Sequence, residues 1–186
     1  MGELRALRLG GVEVALVAAQ PIDVVSEALY AATNALGVLA SGFGGAIRLA
    51  AGSDVERELM AQRPLLVGDA YLTGSGSLVR RGVARVAFGI TTAAPGQSPR
   101  REAVVDALAN ALILLEGQGT RTLTVPEVAS RIPGIATSDA AGMLIDELAR
   151  RFRLGTRLER VTIASMHDDY LQQCYQRLVG HGARTA

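Results

Sequence analysis

The chain has 186 residues, 49% of them hydrophobic and 20% charged, with a formal net charge of +1. That is enough chain for a buried core, and the balance gives no clear nucleic-acid signal and no case for an acidic membrane surface. One cysteine, Cys174, and two histidines, His167 and His181, exclude an internal disulfide and supply too few ligands for a structural zinc site. Neither a metal nor a cofactor is expected, and Cys174 reads as a partly buried thiol in a polar, helix-like tail. Every basic residue is arginine, whose forked donors suit phosphate or carboxylate. No apolar run approaches the roughly 20 residues of a membrane span, and Glu13 interrupts the first one, against a signal peptide. A cytoplasmic protein that does not engage membranes is expected.

In chain order, Leu4 to Leu9 and Val12 to Val17 flank Gly10-Gly11 and predict a β-hairpin. Ile22 to Glu27 is ambiguous, with a short helical turn as one option. Ala28 to Ala32 is an apolar run that predicts a buried strand, ending at Thr33 and Asn34. Ser41-Gly42-Phe43-Gly44-Gly45 leads into a short helix, Phe43 to Ala51. Ser53 caps a second helix, Asp54 to Gln62, which Pro64 breaks. Ala70 to Thr73 and Val83 to Ile90 predict strands, separated by the loop Gly74 to Ser77. Ser98 caps a long helix with Pro99 at its first position, and Val104, Val105, Leu108, Leu112 and Leu115 form its apolar face. Thr122 to Val128 predicts a strand, Ala129 to Thr137 a loop, and Ser138 caps a helix from Asp139 to Phe152. Arg160 to Ser165 is a last strand and Asp168 to Leu178 a last helix, with frayed ends at Met1-Gly2 and His181 to Ala186. The alternation predicts one α/β domain, 1–186: a three-layer α/β/α sandwich with a mixed, centrally parallel sheet.

Ligands of such sheets bind beyond the carboxyl ends of the parallel strands. Two loops stand out there: Ser41 to Gly45 after the strand ending at Asn34, and Arg131 to Thr137 after the next but two. Glycines let backbone N–H groups approach an anion at a helix start, although a tight strand-to-helix connection needs glycine for steric reasons too. Two facing loops of this kind suit a pyrophosphate better than a single phosphate.

With both loops in view, the chain resembles the macro domain family of ADP-ribose-binding modules. Ala31-Ala32-Thr33-Asn34 stands at the family's N-A-A-N, and Gly42 to Gly52 (G-F-G-G-A-I-R-L-A-A-G) stands at its G-V-D-G-A-I-x-x-A-A-G. Val125 to Ala136 (V-P-E-V-A-S-R-I-P-G-I-A) matches F-P-x-I-S-T-G-I-Y-G-Y-P, and Gly68 to Thr73 matches G-E-A-x-x-T. The resemblance implies a pyrophosphate held by backbone N–H groups of Ser41, Gly42, Phe43, Gly44 and Gly45 and of Arg131, Ile132, Pro133, Gly134 and Ile135, proline supplying only its place in the loop. It also implies Asn34 near the distal ribose as the candidate catalytic residue, and Gln20 and Met166 beside the base.

The departures fall in the pocket. Gln20 stands for the family's adenine-binding Asp, Met166 for an aromatic, and Gly44 for the Asp that activates water in catalytic members. Asn34 can also cap its strand end through nearby backbone, Arg131 can lie in solvent, Asp69 can fix a turn, and His167 with Asp168 and Asp169 suits a helix start. The expected function is binding of ADP-ribose or a related nucleotide diphosphate without efficient hydrolysis. The alternatives are an ADP-ribosyl or O-acetyl-ADP-ribose hydrolase, or a scaffold, possible as a homo-oligomer, whose cleft is filled by Arg131 or Phe43.

Overall fold

The computed structural model describes residues 2–186, with side chains from Arg5 onward. Strands β1 (Gly2–Leu9) and β2 (Val12–Ala18) form the expected antiparallel hairpin. Both turn glycines, Gly10 and Gly11, have positive φ, 57° and 86°, which L side chains rarely adopt. A 3₁₀ turn at Pro21–Asp23 precedes β3 (Ala28–Asn34), α1 (Gly42–Ala51) and α2 (Asp54–Met60). Then come β4 (Ala70–Gly74), a 3₁₀ segment (Gly76–Arg81), β5 (Arg85–Thr92) and α3 (Arg101–Gly117). The chain closes with β6 (Thr122–Val125), α4 (Thr137–Arg153), β7 (Arg160–Ser165), α5 (Asp168–Gly180) and β8 (Arg184–Thr185).

The strands form one sheet of order β4-β5-β3-β6-β7-β2-β1-β8. The five from β5 to β2 run parallel, β4 and β1 run antiparallel to them, and β8 pairs antiparallel with β1. Alternation along β3 feeds both layers, as the period of two requires. Ala28 and Tyr30 join the cluster built on Leu108 and Leu112 of α3, Leu144 and Leu148 of α4, and Leu171 and Leu178 of α5. Leu29 and Ala31 join Ile47 of α1, Val55 and Leu59 of α2, and Phe88. Each fully buried aliphatic side chain contributes about 1.5–3 kcal/mol. The layers are also joined by charge. Glu116 of α3 accepts both Arg151 Nε and Nη2 of α4 at 2.8 Å and Thr156 Oγ1 at 2.8 Å. Burial of Glu116 opposes ionisation, but these bonds and the Arg151 charge outweigh it and hold its carboxyl below the ordinary value.

Several boundaries differ from the expectation. Strand β6 stops at Val125, not Val128, because Pro126 has no N–H for a ladder. Helix α3 starts at Arg101 and Ser98 does not cap it; Arg100 is still extended (ψ 146°), so the first helical bond is Val104 N–H to Arg100 O at 3.2 Å. Ser53 precedes α2 without a side-chain cap bond, and α4 starts one residue before Ser138, from Ala136. The segment 76–81 is a 3₁₀ helix, so β5 begins at Arg85 and runs to Thr92. The C-terminus is not frayed: Arg184 and Thr185 pair with Arg8 and Leu7, and Ala183 is buried. Gly2 pairs with Ala18, and Met1 lies outside the described residues. Cys174 is fully buried rather than partly so. Among the described residues no helix is long and apolar enough to cross a membrane, and no group of three or more His, Cys, Asp or Glu is placed to hold a metal ion.

Candidate functional site

The end of β6 opens the site. Strand β3 pairs with β6 only at Ala28↔Leu123 and Leu29↔Thr124, then continues to Asn34. Beyond Val125 the chain leaves the sheet: Val128 N–H donates to the hydroxyl of Tyr170 on α5 at 3.2 Å. The upper part of β3 therefore lacks a neighbour on that side, and Ala32 is exposed within a central strand. A cavity of about 570 Å³ fills the gap, bounded by the loops after β3, β5 and β6. That is a usual size for a small-molecule site, at the carboxyl ends of parallel strands.

The first wall is the loop after β3. Asn34 is 7% exposed and directs its whole amide to this loop. Its Nδ2 donates to Val38 O at 2.9 Å, and its Oδ1 accepts Leu36 N–H at 3.1 Å and Val38 N–H at 3.4 Å. Glu56 of α2 accepts Leu39 N–H at 2.7 Å and pairs with Arg48 at 2.9 Å, and Arg63 donates to Leu36 O. The loop thus delivers Ser41 to the start of α1. Gly42 has φ 57°, and Gly45 N–H is the first in the helix to find an acceptor, Ser41 O at 3.0 Å. The N–H groups of Gly42, Phe43 and Gly44 have no acceptor among the described residues, and they stand where the helix dipole is positive. Gly44 is packed from behind: a Cβ there would lie 3.2 Å from Leu39 Cδ2.

The second wall is the loop after β6. Ala129 and Arg131 are the described non-glycine residues with positive φ, 52° and 58°, while Ser130 between them is not left-handed. Such alternation turns successive N–H groups into one concavity. The N–H groups of 129–131 have no acceptor among the described residues, while 130–131 form a turn that folds Ile132 N–H back toward Ala129. Glu127 secures this loop at its base. Its Oε1 accepts the Ser165 hydroxyl and lies 2.5 Å from His167 Nδ1, and Ser130 adds a side-chain hydrogen bond. Burial raises the Glu127 carboxyl, but the bonds from Ser130, Ser165 and His167, with the His167 charge, hold it below the ordinary value. The third wall is the segment after β5, with Thr91, Thr92, Gly96, Gln97 and Pro99 at the cavity. Thr91 Oγ1 to Thr33 O at 3.2 Å and Ala35 N–H to Thr92 O at 2.8 Å tie this wall to the first.

Of the residues singled out in the sequence, Asn34, Ser41, Gly42, Phe43, Gly44, Arg131 and Ile132 line the cavity together. Gly45 faces a neighbouring groove beside Leu49. Gln20, Pro133, Gly134, Ile135 and Met166 are outside the lining. Gln20 is exposed at the 3₁₀ turn after β2, and Met166 is exposed after β7. Neither Arg131, which is exposed, nor Phe43 fills the cleft. His167 does begin α5, but its partner is Glu127 rather than Asp168 or Asp169. Asp69 braces a turn, accepting Ile90 N–H through its backbone at 2.8 Å and Asn110 Nδ2 at 3.3 Å. Sequence reasoning missed Glu127, Glu56 and the third wall. The available signal for Glu127 was a charge directly after Pro126 at a strand end.

The macro domain model matches residues 31–144, from the strand that floors the cavity to α4. The chain belongs to the macro domain family. A variant of the Oceanobacillus iheyensis macrodomain with ADPR superimposes at a TM-score of 0.79 and 16% identity, over 94% of this chain and 96% of that one. The Trypanosoma brucei macrodomain in complex with ADP-ribose gives a TM-score of 0.74 and 22% identity, over 88% and 68%. At these identities the likeness is one of fold. An uncharacterized protein of Aquifex aeolicus is 24% identical over 90% of this chain and 98% of its own length. Other relatives are longer: the chain spans 45% of one from Mycobacterium bovis. Among the residues lining the macro domain cavity, Glu127 is the one carboxylate and Arg131 the one cation. The rest of the lining is uncharged.

Proposed function

We propose that this macro domain binds ADP-ribose or a related nucleoside diphosphate in the cavity and does not hydrolyse it efficiently. What supports this is the pairing of two sets of N–H groups without acceptors, at 42–44 and 129–131, on opposite walls of one open cavity. Each suits one phosphate, by the dipole of α1 on one side and the alternating backbone on the other. The distal ribose sits over Ala32 and Thr33, and Asn34 shapes the wall beside it. Gln20 and Met166, after β2 and β7, flank a base that extends past the cavity. ADP-ribose is the ligand named for the Trypanosoma brucei macrodomain. Hydrolysis needs a carboxylate free to activate water, worth about 10²–10⁴ in rate. Gly44 supplies none, and Glu127 is already engaged by hydroxyl and imidazole donors.

Calorimetric titration with ADP-ribose tests this, with Gly42→Val as the control. A Cβ at Gly42 meets nothing within 4 Å, so the substitution leaves the core alone. It forces a β-branched residue to φ near 57° at the mouth of the cradle. The expected outcome is a folded variant that has lost binding. Equal affinity in parent and variant would count against the cradle at α1.

A further inference from the structure

The loop after β6 needs a restraint that its own sequence does not supply. It starts where Pro126 ends the ladder, and it carries two left-handed residues, Ala129 and Arg131, without a glycine at either position. Loops so strained hold their shape only when their surroundings over-determine it. Besides the Ser130 bond to Glu127 within the loop, its side-chain-mediated bonds go to β7 and α5, away from β3. Glu127 Oε1 reaches the Ser165 hydroxyl at the end of β7 and His167 Nδ1 at the start of α5, and Val128 N–H reaches Tyr170 on α5. Ser165 Oγ in turn accepts His167 N–H at 2.8 Å, so the two partners of Glu127 brace each other. The carboxylate side chain is 15% exposed and the imidazole 40%. Pulling 126–128 toward α5 is what separates this wall from β3.

We infer that Glu127 is a positioning residue of the cleft: through Ser165 and His167 it tethers the loop after β6 to β7 and α5, holding the cavity open and the 129–131 N–H groups at its wall. The inference rests on the nucleotide-binding proposal for its effect on affinity, but the tether has a readout of its own. Arg131 is exposed and followed by Ile132, so trypsin cutting between them reports on the loop without any ligand. The roles are distinct: Glu127 acts through the loop backbone, and His167 holds Glu127.

The experiment compares the parent chain with Glu127→Leu, His167→Leu and His167→Asn. It reads ADP-ribose affinity by calorimetry, the rate of tryptic cutting after Arg131 by mass spectrometry, and melting temperature. Asparagine keeps an N–H donor near the place of Nδ1, and leucine does not. Both leucine variants should bind about tenfold more weakly and be cut about tenfold faster, the factor set by one lost hydrogen bond to a charged group. His167→Asn should restore both values toward the parent, which a merely bulky packing role of the imidazole would not do. Should Glu127→Leu fail to fold, the two variants at half-buried His167 still decide the matter. Parent-like cutting in His167→Leu, or an asparagine variant no better than the leucine one, would overturn the tether. A parent that binds no ADP-ribose would remove the nucleotide proposal alone, and the cutting rates would still judge the tether.

Discussion

Asn34 uses its side-chain amide on its own loop, and this changes what its replacement should do. The hydrogen bonds to Val38 and Leu36 give the first wall its shape, so Asn34→Ala should cost stability, about 1–3 kcal/mol in urea unfolding, along with ADP-ribose affinity. Loss of affinity at unchanged stability would instead place the amide on the ligand. Gly44 carries a similar lesson. Reintroducing a carboxylate there looks, on family resemblance, like a route to hydrolysis. Yet a Cβ at 44 pushes on Leu39, which is 2% exposed in the core behind α1. Gly44→Asp should lower stability by about 1 kcal/mol and leave turnover of mono-ADP-ribosylated protein at background. Measurable hydrolysis by this variant would show that the side chain finds the cavity after all.

Among the elements, those with strong local signals follow the sequence closely. β7 runs from Arg160 to Ser165 as expected, and the Gly-rich start of α1 is legible because glycine chemistry is local. β6, α3 and β8 were not legible to the same degree. Pro126 shortens β6, the extended Arg100 delays α3, and the two residues of β8 exist only by pairing with β1. Glu127 was missed for the same reason, since Ser165 and His167 lie 38 and 40 residues away. The junction of α3 and α4 makes a prediction at this scale. Glu116 has its carboxyl lowered in the folded state, so its contribution is complete above the ordinary carboxylate range and is lost as pH falls through the lowered value. Glu116→Gln should therefore destabilise the protein at neutral pH, and its gap to the parent should shrink as pH falls below the ordinary carboxylate range, by urea unfolding. A stability gap that persists at the acid end would assign the effect to packing rather than charge.

At the scale of the molecule, the parallel centre of the sheet sets three loops at the carboxyl ends of its strands, and the early end of β6 opens a cavity among them. On the proposed function, the two sets of N–H groups on opposite walls suit a diphosphate better than a single phosphate. The central claim is that both cradles act on one ligand. Calorimetric titration of the parent chain with ADP-ribose, set beside ribose 5-phosphate under the same conditions, tests it most directly. The account predicts one site per chain for ADP-ribose and at least about tenfold weaker binding of ribose 5-phosphate, since losing one charge-assisted phosphate contact costs about that factor. Equal affinity for the two ligands, or no binding of ADP-ribose, would contradict it.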